Sequence, residues 1–412
     1  MSRLLETALP ATSVPPATCS IARGSSEYRR AGIAFFMLGL ASFSLIYCVQ
    51  PLLPAFTHSF GVTPAQSSLA LSLTTGLLAI SILLAGAFSQ AVGRRGLMFT
   101  SMALASICNF IAAVLPDWHM LLVARAVEGV VLGGVPAVAM AWLAEEIDKK
   151  DLGKTMGLYV GGTAFGAMVG RVGMGLLTEF TSWRIAMGVL GVLGMAAAIA
   201  FVLLLPESRN FERKPGLNLH FHFRAWFSHL GNKGLIRLYA TGFFLTSVFV
   251  TLFNYATFRL SDAPFHFSQT QVSLIFCAYA IGIVSSSLSG SLADRFGRKP
   301  LLITGFLLLL AGILLTVPDN LLCLIGGIIL ITSGFFVAHA AASGSVGPLA
   351  GNNRGHASSL YLLFYYMGSS ITGSFGGWFW LHGGWNAVVG LTVVMALAGL
   401  ALSGLSRQKS AG

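Results

Sequence analysis

The stretch GSLADRFGRKPLL (Gly290–Leu302) sets four charges, Asp294, Arg295, Arg298 and Lys299, within six positions of a 412-residue chain that is only 9% charged. GAFSQAVGRRGLM (Gly86–Met98) repeats its skeleton: a glycine, a gap, then Gly-Arg and a second base. Such a turn written twice implies two equivalent places in the fold. The rest of the composition says what surrounds them. A soluble protein carries about 25% charged residues. At 9% charged and 55% hydrophobic the surface could not be wetted, so the solvent is largely lipid. The five cysteines (Cys19, Cys48, Cys108, Cys277, Cys323) form no CxxC pair and read as small apolar residues, not a disulfide frame or metal set.

A hydrocarbon core about 30 Å thick needs roughly 20 apolar residues of helix. That length selects twelve segments: 32–56, 67–90, 97–115, 119–142, 155–178, 184–205, 235–258, 269–291, 300–317, 320–345, 357–380 and 385–405. Helices are required because unpaired backbone groups in lipid cost several kcal/mol each. A barrel strand would alternate polar and apolar residues, and LLLLAGILL (Leu307–Leu315) does not. The fold class expected is therefore an all-α membrane protein of two six-helix bundles. Its parts are a disordered tail 1–31, bundles 32–205 and 235–405, a linker 206–234 and a second tail 406–412. The first thirty or so residues contain no apolar signal-peptide core.

With the N-terminus placed in the cytoplasm, 21 of the 25 Lys and Arg fall inside. Arg184 and Arg259 fall outside, and Arg125 and Arg171 lie within spans. This asymmetry orients the chain with both termini cytoplasmic. It also accounts for the net charge of +11 by an anionic leaflet, without nucleic acid.

The two basic turns then join helices 2–3 and 8–9, offset by 204 residues. Leu115 and Asp117 match Val317 and Asp319 at an offset of 202, as do Gly166 with Gly368, Gly175 with Gly377 and Trp183 with Trp385. Six is even, so the halves face the same way about an axis along the membrane normal. Parallel halves with a site between them are a transporter architecture. In the linker, LNLHFHFRAWFSHL (Leu217–Leu230) reads as an interfacial helix. Its His220, His222 and His229 could ligate a metal, but none is expected.

Over residues 30–405 the chain resembles the major facilitator superfamily of transporters. Gly290, Leu292, Asp294, Gly297, Arg298 and Lys299 fit that family's loop signature. The first-half copy keeps Gly86, Gly93, Arg94 and Arg95 but has Gln90 where the Asp belongs. RAVEG (Arg125–Gly129) is similar to the fourth-helix signature, and GTAFGAMVGR (Gly162–Arg171) to the fifth-helix antiporter signature, with Ala167 for its proline. YCVQPLLP (Tyr47–Pro54) resembles the end of the family's first helix. The nearest group is the drug:proton antiporter and arabinose-efflux-permease-like proteins of bacterial inner membranes.

The resemblance implies alternating access, a proton gradient in place of a cofactor, and a cytoplasmic latch at the loop signature. The stronger latch is expected at Asp294 with Arg295 and Arg298; topology marking by charge is the other reading. Gly162, Gly166 and Gly170 are expected to pack helices closely. The partners expected are a small solute, protons and the bilayer, with the chain acting as a monomer.

Only Arg125, Glu128, Arg171 and His339 are ionisable deep in spans, where each is costly and hence a functional candidate. Arg125 and Glu128 are three apart and share a face. At about 1.5 Å per residue they and Arg171 lie about 10–15 Å from the outer surface. The spacing predicts one cluster with Glu128 flanked by both arginines, acting either in coupling or as a static lock. His339, with Ser343 one turn on, either carries a proton or is structural. The family's path, along helices 1, 4, 7 and 10, would present Tyr47, Gln50, Asn254 and Tyr255, with Tyr365 and Tyr366 from helix 11. Tyr47 could instead be an interfacial anchor. An apolar path with few polar groups suits amphipathic solutes. Efflux by antiport is the function expected. Proton-coupled uptake is the alternative, and a membrane enzyme finds no HExxH or GxSxG here.

Overall fold

A computed structural model describes residues 20–211, 219–351 and 353–404, without the side chains of 86–88, 90–92, 219 and 294. Residues 1–19 and 405–412, part of the linker, and the Gln90 and Asp294 side chains therefore lie outside the described residues. The expected tail 1–31 is ordered from residue 20 on: Ile21 is buried and exchanges backbone hydrogen bonds with Glu146 and Asp148, and span 1 begins at Ser26.

The described chain is almost wholly helical. In the first half, span 1 is Ser26–Phe60, span 2 Pro64–Val92, span 3 Arg94–Val114, span 4 Trp118–Glu146, span 5 Leu152–Phe180 and span 6 Trp183–Leu204. In the second, span 7 is Lys233–Ser261, span 8 starts at Gln269 and ends at Phe296, span 9 is Arg298–Leu315 and span 10 Leu321–Ala350. The helix Arg354–Gly404 breaks at Gly383 and Gly384, which gives spans 11 (354–382) and 12 (385–404). The amphipathic helix Leu219–Leu230 precedes span 7. It buries Trp226 and His229 and exposes Phe221, Phe223 and Phe227. Its His222 Nδ1 lies 2.8 Å from Nε2 of His356, at the start of span 11.

Three segments expected to be continuous are broken. Span 1 stops at Tyr47 and passes through a tight turn, Gln50–Leu52, before Leu53–Phe60. Pro51 and Pro54 lack the N–H groups that would bond the carbonyls of residues 47 and 50. Span 4 breaks between Leu132 and Pro136 at Gly133–Gly134, where the Val135 N–H bonds the Leu132 carbonyl. Span 8 tightens over Leu274–Cys277, and nothing in its local sequence explains this. The ends follow ordinary capping. Thr63 and Gln66 form a reciprocal capping box at span 2, and Gly93 (φ 106°) and Gly297 (φ 80°) make the two basic turns.

The internal repeat is physical. Gly166 packs against the Leu40 carbonyl, joining spans 5 and 1; Gly368, its counterpart, packs against the Phe243 carbonyl, joining spans 11 and 7. Gly175 and Gly377 act between halves. A Cβ at Gly175 would stand 2.9 Å from the Gln269 carbonyl of span 8, and one at Gly377 2.8 Å from the Ala65 nitrogen of span 2. The C-terminal ends of spans 3 and 9 are likewise each met by an arginine. Arg184 donates to the Ala113 and Leu115 carbonyls beside Trp183, and Arg259 to the Thr316, Val317 and Pro318 carbonyls beside Trp385. Each cation caps a helix C-terminus, where the peptide dipoles favour positive charge.

Candidate functional site

The halves are joined at the end away from the basic turns. There the Ser268 hydroxyl and Thr270 N–H donate to Glu179 at 2.8 and 2.7 Å, and Gln269 Nε2 donates to the Pro51 carbonyl. Deeper in, Ser370 Oγ donates to the Ser72 carbonyl at 2.6 Å. Span 5 packs on Gln269–Cys277 far more than on Ala278–Phe296, so toward the basic end spans 5 and 8 part. Ser287, Leu288, Gly290, Ser291 and Leu292 are exposed on span 8, and Gly153, Lys154, Gly157, Leu158 and Val160 on span 5. Thr155 and Tyr159 stay buried, Tyr159 packing edge-on against Phe35 of span 1. The arrangement is a cleft sealed at one end.

At the closed end of the cleft lies a chain of polar side chains. Arg171 Nε donates to Gln50 Oε1 at 2.6 Å, and Gln50 Nε2 donates to Asn254 Oδ1 at 2.7 Å, which crosses from one half to the other. All three residues are at most 1% exposed. Gln50 and Asn254 are 204 residues apart, the offset of the two basic turns, so the pair lies where the repeat axis runs. The counterpart of Arg171 at an offset of 202 is Gly373, beside which Asn254 Nδ2 has no hydrogen-bond partner among the described residues. The cation is thus present in one half only.

Arg171 sits in a cradle of rings. Its guanidinium carbon lies 4.1 Å from the Tyr47 ring centroid, 4.8 Å from Tyr279 and 5.0 Å from Phe276, and its NH1 donates to the Ala167 carbonyl. Tyr47 is therefore part of the site and not an interfacial anchor. Nearer the opening, His339 Nδ1 shares a hydrogen bond with the Tyr361 hydroxyl at 3.0 Å. The His339 ring lies parallel to Phe335 and 4.8 Å from Tyr365. His339 and Tyr365 are only partly buried.

The expected triad of Arg125, Glu128 and Arg171 does not form. Arg125 NH1 pairs with Glu128 Oε2 at 2.7 Å, both fully buried, while Arg171 turns to Gln50 and the rings. Equal depth did not bring the two arginines together, because Arg125 is taken up by backbone. It donates to the Leu45, Ile46 and Ala70 carbonyls. Leu45 and Ile46 lie just before the break in span 1, so Arg125 caps a broken helix end. Glu128 Oε1 has no hydrogen-bond partner among the described residues. One further expectation changes. Tyr255 donates to the Gly373 carbonyl at 2.8 Å and stacks on Trp380, so it faces span 11 and not the path. Ser343, one turn on from His339, donates to the His339 carbonyl at 2.7 Å.

At the basic turns Arg94 is gripped by the Glu145 carboxylate and by Ser89 Oγ, and Arg298 donates to the Gly344 carbonyl. Both arginines bind their own half. Arg95 donates to the Val202 carbonyl, and Arg295 lies over its neighbour Phe296. Among the described residues the ion pair is at the first turn, and Glu145 was missed; the latch expected at Asp294 lies outside the described residues. Glu146 beside it is fully buried and accepts the N–H groups of Arg209 and Asn210. Two carboxylates closing a helix oppose its dipole unless basic groups or N–H donors meet them, and that was the available signal.

Twelve spans in two like-facing halves about a shared polar chain define a membrane transport protein. The chain belongs to the Major Facilitator Superfamily, whose family model matches residues 33–263 and 260–410. It is 43% identical over 384 residues to the uncharacterized MFS-type transporter YybF of Bacillus subtilis (strain 168), covering 93% of this chain and 95% of that one. It is 43% identical over 380 residues to the inner membrane transport protein YnfM of Escherichia coli (strain K12), covering 92% and 91%. Among solved structures, a bacterial homolog to the human lysosomal transporter Spinster, in an inward-facing and occupied conformation, superposes with a TM-score of 0.76. That match has 13% identity and covers 92% of this chain and 97% of the other.

Proposed function

We propose that this transporter is a proton-coupled exporter of small amphipathic solutes in the bacterial inner membrane, with its basic end in the cytoplasm. The observation that carries the reading is the cleft, sealed by Glu179, Ser268 and Thr270 at one end, parted at the other, and closed in its depth by Arg171, Gln50 and Asn254. Halves joined in this way can exchange which end is sealed, and solute and proton then cross in turn. The name of the YnfM relative supports the inner membrane, and the excess of bases at one end supports the orientation. Glu128, held by one ion pair and with its second oxygen unbonded among the described residues, supplies a seat for the proton, and His339 at the lining is the other candidate. No cofactor is invoked: the gradient is the energy source and no covalent step is needed. Nor does the reading need a second copy of the chain.

Everted membrane vesicles energised by respiration test the proposal. Accumulation of a fluorescent amphipathic dye that needs this chain, is abolished by a protonophore and is lowered at least tenfold by Glu128→Gln is the expected result. Accumulation in right-side-out vesicles alone would make the protein an importer. Undiminished flux in Glu128→Gln would move the proton to His339.

A further inference from the structure

We infer that Arg171 is the docking cation for a small organic monoanion, a carboxylate on a flat apolar body. The inference rests on the transporter reading above and names the solute class of that path.

Four observations converge. First, Arg171 is 1% exposed and has no carboxylate within ion-pair distance among the described residues, although a buried charge ordinarily requires one. The other buried arginines each have one: Arg125 has Glu128, Arg94 has Glu145 and Arg259 has Asp319. Second, the groups around Arg171 are three aromatic rings, an amide oxygen and a backbone carbonyl, all neutral. They offset part of the cost through ring quadrupoles and hydrogen bonds but leave a net positive site. Third, the residues between Arg171 and the opening, Tyr365, His339 and Phe335, contribute no Asp or Glu. Past these neutral groups the charge a solute meets at the end is Arg171, which repels a cation and draws an anion. Fourth, the planar guanidinium fork matches a carboxylate, and the stacked rings match a flat body.

The same geometry ties binding to movement. A carboxylate on the guanidinium competes with Gln50 Oε1 for the Arg171 N–H groups. Gln50 also holds Asn254 across the halves, so an arriving anion loosens the bridge that the rocking motion must break.

The full chain in detergent, followed by thermal unfolding, tests this with 2-naphthoate, 2-naphthamide and 2-naphthylmethylamine as isosteric probes. The expected result is stabilisation by naphthoate, with the amide and the amine binding at least tenfold more weakly. Arg171→Gln should lose naphthoate binding tenfold or more at unchanged melting temperature, and Arg171→Lys, which keeps charge but not the fork, should fall between. Equal binding of carboxylate and amine, no stabilisation by naphthoate, or wild-type naphthoate binding in Arg171→Gln would each overturn the inference. If Arg171→Gln does not fold, the comparison of the three probes on the unaltered chain decides alone. Dye movement in everted vesicles is independent of naphthoate. Vesicles that transport while naphthoate fails to bind sink the inference and leave the transporter reading standing; naphthoate binding in vesicles that transport nothing does the reverse.

Discussion

Arg125 and Glu128 illustrate what one residue can carry inside a membrane bundle. The arginine satisfies one carboxylate oxygen and three carbonyls at once, two of them just before the break in span 1. Arg125→Leu leaves all of these and a buried carboxylate without their donor, and losing one partner of such a pair costs about 3–5 kcal/mol. Purified Arg125→Leu should therefore show a large loss of stability by chemical unfolding. Arg125→Leu with Glu128→Leu should recover part of it, since the stranded charge is gone. A double variant no better than the single would place the loss on the carbonyls of residues 45, 46 and 70 instead. The i,i+3 spacing made this pair legible. The third member of the predicted cluster was not legible, because depth along the membrane says nothing of the direction in which a side chain points. The Gln50–Asn254 contact was open to sequence reasoning in a way that was not used. Two residues at the repeat offset, both polar and both in path helices, are where parallel halves meet their own counterparts.

Among the elements, the helix pairs built on small residues fall into two kinds. Gly166 and Gly368 join helices within a half, and Gly175 and Gly377 join helices between halves at the sealed end. Inserting a side chain into such a contact costs about 1–3 kcal/mol, but what is lost differs. Gly166→Val should lower the melting temperature without favouring either state, since spans 5 and 1 move together. Gly175→Val strains only the sealed state, so it should favour opening at that end by about 5- to 150-fold. The measure is alkylation of a cysteine placed at Tyr47 by a membrane-impermeant reagent from the sealed side. Equal alkylation in Gly175→Val and the parent would show that the contact does not resist opening. The twelve spans and their order were legible from apolar length alone. The breaks were less so: Pro51, Pro54 and Gly133–Gly134–Val135–Pro136 announce two of them, yet an apolar stretch counted by length conceals a change in backbone pairing. At the basic turns the charges resemble each other, but among the described residues Arg94 meets a carboxylate 51 residues downstream and Arg298 a carbonyl 46 residues downstream, which the turns themselves do not announce.

For the whole molecule, the consequence is that the two ends must be exclusive. The sealed end is held by few directional bonds, and those to Glu179 are among them. Glu179 stands exposed at the rim, so solvent screens its two hydrogen bonds and they stabilise the seal only weakly. Glu179→Ala should then move the population by a small but measurable factor toward the state open at that end. Spin labels at Lys154 and Ser291 report the parted end, and labels at Thr181 and His266 the sealed one. All four positions are exposed and none holds the polar chain. In the parent both pairs should give two distances in the same ratio, with the long distance at one end accompanying the short one at the other. Glu179→Ala should shift both ratios together. A sealed-end pair that lengthens while the Lys154–Ser291 pair stays long would mean that the molecule opens at both ends, as a pore would, and no exchange between states could then drive transport.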